Sequence, residues 1–255
     1  MKQKYRLTDE TIEYGGVMLY RIEALRDFGD VIAGDKGGFV QSEFNLSQEG
    51  DCWIYGKAMV YGEAMVYGEA MVYGEAMVYG EAMVYGEAEV LGKAAVSGKA
   101  EVLGKAAVSG KAMVSGNAIV YGEAEVFGKA AVSGEAEVSG NAIVYGEAEV
   151  FGKAAVSGEA EVFGKAAVSG EAEVFGKAEV SGKASIKSIE DYIVFKNWWS
   201  SGRYFTWTRS DNMWKVGCFY GTGEELIKKA YADSEKSGRE YERVVRYVEN
   251  ILASK

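Results

Sequence analysis

From residue 50 to residue 187 small apolar and variable positions alternate with a period of six. The unit is Ala-x-Val-x-Gly-x, as in Ala64-Met65-Val66-Tyr67-Gly68-Glu69. Gly recurs at every sixth residue from Gly50 to Gly182, Val from Val60 to Val180 and Ala from Ala58 to Ala184. A variant first copy (Cys52, Ile54, Gly56) and a last one (Ala184, Ile186) bring the number of copies to 23. A short fixed period is the signature of a solenoid. Ala and Val are two apart, so on a strand they share a side, and being small and apolar they face inward. Gly marks the corner, where a positive φ or close backbone approach excludes a Cβ. One hexad is then a short strand plus a turn. Three make a triangular coil whose strands pair in parallel with those of the next coil. Nearly eight coils at about 4.8 Å each predict a rod of roughly 37 Å. A helix is excluded, because each interior Gly would cost it about 1 kcal/mol. Such a core cannot close itself, so both ends need covers.

The flanks break the period. Residues 1–49 read as an entry cap: Thr11–Tyr14 and Val17–Ile22 flank Gly15-Gly16, a hairpin signal. The run from Asp30 to Val40 reads as irregular first coils, with Phe39, Phe44 and Trp53 to plug the open end. Residues 50–188 are the rod, and residues 189–255 read as a small α+β domain. There Tyr192–Asn197, Arg203–Arg209 and Met213–Tyr220 alternate as three short strands. Two helices follow, with capping-box spacing at Thr222/Glu225 and Ser237/Glu240. The expected fold is mainly β: a single-stranded parallel β-helix of triangular section with a small C-terminal α+β domain.

The segment from Leu19-Tyr20-Arg21-Ile22 through Gly37-Gly38-Phe39-Val40 to Asn45-Leu46-Ser47-Gln48-Glu49-Gly50-Asp51-Cys52-Trp53, running into the repeats, resembles the YdcK-like hexapeptide-repeat proteins. The resemblance covers about the first 185 residues. It implies a left-handed β-helix, a phage or prophage setting, and the label of acyltransferase that the wider superfamily carries. Hexapeptide acyltransferases use a His base and interrupt the coil with a loop that helps enclose the site. This chain has no His, and no hexad is interrupted from Gly50 to Gly182. Zinc-binding γ-class carbonic anhydrases, which ligate through His, are excluded likewise.

Charge narrows the partners. The net charge is −10, and the rod carries 19 acids against 11 lysines. That balance disfavours direct nucleic-acid binding, which needs a basic footprint. No run is apolar enough to span a membrane. The N-terminus lacks a signal-peptide core, and Cys52 and Cys218 fit no metal or redox spacing. A cytoplasmic protein without cofactor or metal is expected. Cys52, at an Ala position, reads as a small buried residue.

Two outward features were candidates for function. Five Met-Val-Tyr copies place Met65, Tyr67, Met71, Tyr73, Met77 and Tyr79 outside, where residues 18 apart should stack. The band reads either as a homo-oligomer surface or as ladder packing. Lys57, Glu75 and Lys93 alternate along one edge, and Glu89, Glu101 and Glu125 stand isolated, all as solvated charge. A further repeat argues for a spacer: Ser115–Val138 and Ser139–Val162 are identical over 24 residues, four hexads, which rotates the copy by a third of a turn. The C-terminal domain concentrates Arg203, Tyr204, Trp207, Arg209 and Trp214. Arg203, Trp207 and Arg209 alternate along one predicted strand, a candidate face for a protein partner or small anionic ligand; the competing expectation makes the aromatics core. The reading is a non-enzymatic scaffold presenting that domain to a host or phage partner, for instance as an anti-defence protein that sequesters a protein or nucleotide signal. A divergent acyltransferase is the alternative.

Overall fold

The computed structural model describes residues 3–253. Its N-terminus is an antiparallel hairpin, β1 (Tyr5–Tyr14) and β2 (Val17–Ala24). The turn between them is Gly15-Gly16, with φ of 57° and 81°, which only Gly adopts at no cost. β3 (Lys36–Val40) pairs antiparallel with β2 and then in parallel with Met59–Val60, so the hairpin is continuous with one face of the rod.

The rod consists of 23 two-residue strands, β4 (Trp53–Ile54) to β26 (Ser185–Ile186). Each from β4 to β23 pairs in parallel with the strand three further on, as Met59 with Met77 and Met77 with Ala95. Three sheets result, and they form the faces of a parallel β-solenoid of nearly eight turns. Inside, the Ala and Val that recur every six residues, from Ala58 to Ala178 and from Val60 to Val180, are fully buried. The corners close by backbone bonds between coils, such as Lys93 N to Gly110 O at 2.7 Å. Gly122 shows why the corner residue is fixed: its φ is +76°, and a Cβ there would sit 3.0 Å from the N and the O of Gly140.

The two ends are closed differently. At the first coil Trp53 is buried, with Phe28 edge-on at 5.3 Å and Tyr5 at 6.1 Å. Phe39 is buried outside the rod core, in register with Met59 and under the Arg21 guanidinium, so it does not plug the end as expected; nor does Phe44, which is 57% exposed. It sits on the 3₁₀ turn Glu43–Asn45, whose inward residue is Asn45; the Asn45 amide donates to Gly62 O and Ala64 O at 3.0 and 2.9 Å. Lys4, wholly buried, donates to Cys52 O at 2.9 Å and more weakly to Glu49 O and Gly50 O. Open carbonyls at a solenoid end need donors, and these polar side chains supply them. Cys52 is buried, in line with its Ala position.

At the last coil stands an antiparallel meander of β27 (Tyr192–Lys196), β28 (Tyr204–Thr208), β29 (Met213–Val216) and β30 (Phe219–Gly221). Four strands replace the three expected, because Gly217, at φ 54°, turns the chain inside the third predicted run. Helices α1 (Gly223–Asp233) and α2 (Glu235–Ala253) follow. Thr222 and Glu225 form the predicted capping box. α2 starts ahead of the Ser237/Glu240 box, with Ser234 Oγ accepting from Ser237 N at 3.1 Å. Phe205, Trp207 and Trp214 pack against Leu226, Tyr241, Val245 and Val248 of the helices.

The other side of the meander meets the rod. Tyr192 joins the rod core. Thr206 Oγ1 accepts from Glu179 N at 2.9 Å, and Ser210 Oγ accepts from Ser185 N at 2.7 Å. Tyr220 OH donates to Asp211 Oδ2 at 2.6 Å, and a Cβ on Gly182 would overlap that hydroxyl. The bonds from Glu179 N and Ser185 N occupy ladder groups that no further coil can meet.

Candidate functional site

The rod surface carries ladders and rungs. Tyr55 and Tyr73, Tyr61 and Tyr79, and Tyr67 and Tyr85 stack at 4.6, 5.2 and 4.7 Å with nearly parallel rings. Met65, Tyr67, Met71, Tyr73, Met77 and Tyr79 are all half-buried, since each covers its neighbours. At the corners, Lys93 reaches Glu75 at 3.0 Å and Lys99 reaches Glu81 at 3.5 Å, on exposed side chains. Such pairs are worth under about 1 kcal/mol each. Tyr85 OH donates to Glu101 at 2.7 Å, so burial and that carboxylate hold its phenol up at about 12.

In the C-terminal domain the five predicted residues separate. Trp207 and Trp214 are core residues, 1% and 2% exposed, and Trp207 Nε1 donates to Asn212 Oδ1 at 2.9 Å. The alternation that put Trp207 beside Arg203 and Arg209 is real, but that face of the strand packs against the helices. Arg209 lies beyond the rod-side end of β28 and is bound locally: Nε donates to Glu190 O at 3.2 Å and lies 4.0 Å from Asp191 Oδ1. Tyr204 is half-buried between Lys177 and Lys196, whose ammonium groups lie 5.7 and 5.8 Å from its ring centre.

Arg203 alone keeps the expected character. It is exposed, and its guanidinium makes no hydrogen bond or ion pair among the described residues. It borders two clefts of about 190 Å³ each. One is polar, lined by Asn197, Ser200, Lys229 and Tyr241 among others. The second lies against the rod, where Glu159, Glu161 and Glu179 gather with Lys177. Burial pushes the Glu179 carboxyl up, and the Lys215 ammonium 3.4 Å away opposes this.

The loop that carries Arg203, residues 197–203, also carries the residue sequence reasoning passed over. Trp198 is 76% exposed, the most exposed of the large apolar side chains. The neighbouring Trp199 is buried against Tyr241, ring centres 5.1 Å apart. Asn197 ties the loop down, donating to Tyr241 OH at 3.1 Å and accepting from Ser200 N at 3.0 Å. A Trp-Trp pair gives no sign of which ring faces out; only the loop geometry does. Among the described residues no cluster of three or more His, Cys, Asp or Glu could hold a metal ion. No helix among them is long and apolar enough to cross a membrane.

The unbroken hexads and their triangular stack are those of a hexapeptide-repeat β-solenoid. Among known proteins the chain is similar to the uncharacterized acetyltransferase YdcK of Escherichia coli (strain K12), 44% identical over 61 residues. That match covers 21% of this chain and only 19% of the length of that protein. No protein-family model matches the chain.

Proposed function

We propose that the chain is a non-catalytic interaction scaffold, its rod a spacer and its C-terminal loop, residues 197–203, the contact. The observation that carries this reading is one exposed indole, Trp198, and one unpaired guanidinium, Arg203, on a single anchored loop. Trp and Arg are the side chains on which interface energy concentrates. The adjoining clefts hold about 190 Å³ each, below the roughly 300–1,000 Å³ of small-molecule sites, which favours a protein partner over a small anion. The partner class we propose is a host or phage protein. The Met and Tyr band supports self-association less well, because its ladders already cover its members.

A second reading is acyl transfer, favoured by the name of the similar Escherichia coli protein. A base would then have to be a carboxylate or a tyrosine, since the sequence has no His. Cross-linking capture from the producing cell with the full chain, beside the Trp198→Ala/Arg203→Ala variant and an acetyl-CoA titration, separates the two. The scaffold reading expects one partner that the variant loses, with an unchanged melting temperature and no saturable acetyl-CoA binding. Each hot-spot truncation should cost about 2 kcal/mol or more of affinity. Saturable acetyl-CoA binding with transfer to an acceptor sinks the scaffold reading.

A further inference from the structure

An apolar recess lies at the other end of the molecule. The hairpin β1–β2 stands over the rod face that begins with β3, leaving a groove of about 570 Å³. Phe39, Met59 and Met77 occupy successive rungs of that face and form the floor. Ile12 and Tyr14 of β1 form the wall, and Tyr14 leans on Tyr61 with ring centres 6.0 Å apart. The rim is charged: Arg21 on one side, and the corner residues Lys57, Glu75 and Lys93 on the other.

That rim holds three cations and one carboxylate on a chain of net charge −10. Glu75 is spent on Lys93 at 3.0 Å. Lys57 forms no ion pair among the described residues. Arg21 stacks its guanidinium on Phe39, 5.0 Å from the ring centre, and bonds Glu10 through Nη1 at 3.2 Å. Its Nε is buried without a hydrogen-bond partner, a costly state for a charged group's donor. The other two faces lack the hairpin wall. Their corner residues at the same three levels are Glu63, Glu81 and Lys99 on one, Glu69, Glu87 and Lys105 on the other, so Lys57 is the cation that sets this face apart. The groove is therefore not a by-product of the repeat.

We propose that this groove binds an organic anion with an apolar tail. The tail lies along Phe39, Met59 and Met77, and the acid group sits between Arg21 and Lys57. Its volume falls within the range of ligand sites. An apolar floor with a few polar groups at one margin is the composition of such sites, and Arg and Lys are the partners of carboxylates and phosphates. A cation would meet like charge, and nucleic acid would find no continuous basic track.

The test uses the full chain with methyl-labelled methionine, titrated by NMR and calorimetry with decanoate, decyl phosphate and decyltrimethylammonium. Binding of either anion should move the Met59 and Met77 methyl signals and leave Met113, two rungs beyond Met77 on the same face, unmoved. Decanoate alone identifies a carboxylate site, and decyl phosphate alone a phosphate site. Lys57→Glu, an exposed change that should not alter the melting temperature, should weaken the anion by about tenfold or more. Equal binding of the cationic amphiphile, equal response of all methionines, an unaffected Lys57→Glu variant, or no response to either anion overturns the proposal. So does a dimer, seen by analytical ultracentrifugation, that dissociates when decanoate is added, because the groove then belongs to a second copy.

Discussion

The rod and the domain that ends it are built on opposite principles. In the rod the core and corner contacts recur: a Val under a Val, a corner bond under a corner bond, each 18 residues on. No single side chain there is indispensable, because stability in a solenoid is roughly a sum over units and their interfaces. In the C-terminal domain nothing recurs. Trp207, Trp214, Phe205 and Tyr241 each occupy one place in a single cluster, and the meander is covered on both sides, by helices and by the rod. The difference places repeated contacts in the long part of the molecule and singular ones in the short part.

The strongest attempt to break that contrast is Trp207→Ala. A fully buried Trp truncated to Ala costs about 3–5 kcal/mol, enough to unfold a small domain at the low end of the usual range of about 5–15 kcal/mol. The near-ultraviolet aromatic signal should collapse at a temperature where the far-ultraviolet β signal of the rod persists. A single shared transition, shifted as a whole, would show that rod and domain are one cooperative unit.

Excision of residues 121–138 is the matching attempt on the rod. It removes one whole coil and returns every later residue to its own face, so the shortened chain should stay soluble and melt cooperatively with a slightly lower midpoint. Loss of a cooperative transition by circular dichroism would mean that the rod has a unique element after all.

The smallest effect sharpens the boundary between the two parts. Burial and the bond to Asp211 push the Tyr220 phenol up to about 12, above the usual value near 10. A raised folded-state value means that this group's stabilisation is complete below about pH 10 and disappears as pH rises through about 12. Tyr220→Phe should therefore melt earlier than the parent at pH 8, and the gap should narrow between pH 10 and 12. A gap independent of pH would assign the loss to packing on Gly182 instead of to the hydroxyl.

How far these features were legible follows from the same contrast. The rod was readable to the residue, because a period of six leaves no other strand, corner or register. The hairpin was readable from Gly15-Gly16. The covers were not. Phe44 looks like a plug by hydrophobicity, yet the rod's first open carbonyls need donors, so Asn45 and Lys4 go inside and Phe44 goes out. Trp207 looks half-exposed by alternation, but alternation tells sides apart only when one side meets water. On β28 both are covered, Thr206 by the rod and Trp207 by the helices. Arg203 kept its predicted exposure because it stands outside the strand, where neither layer reaches it. The hairpin groove was invisible because it depends on how β1 bends over a face 25 and more residues away in sequence, from Tyr14 to Phe39 and beyond.

The identical 24-residue segments add a consequence in the currency of inheritance. A copying slip that adds or drops one hexad leaves the reading frame of the coil intact and lengthens or shortens the molecule by about 1.6 Å, a third of the strand spacing. It also turns the far end by a third of a revolution. Only every third slip restores the original bearing of loop 197–203 relative to the hairpin groove. A gene of this kind carries a vernier: errors of copying sample both the distance and the angle between its two ends, and selection has only to keep the setting that reaches.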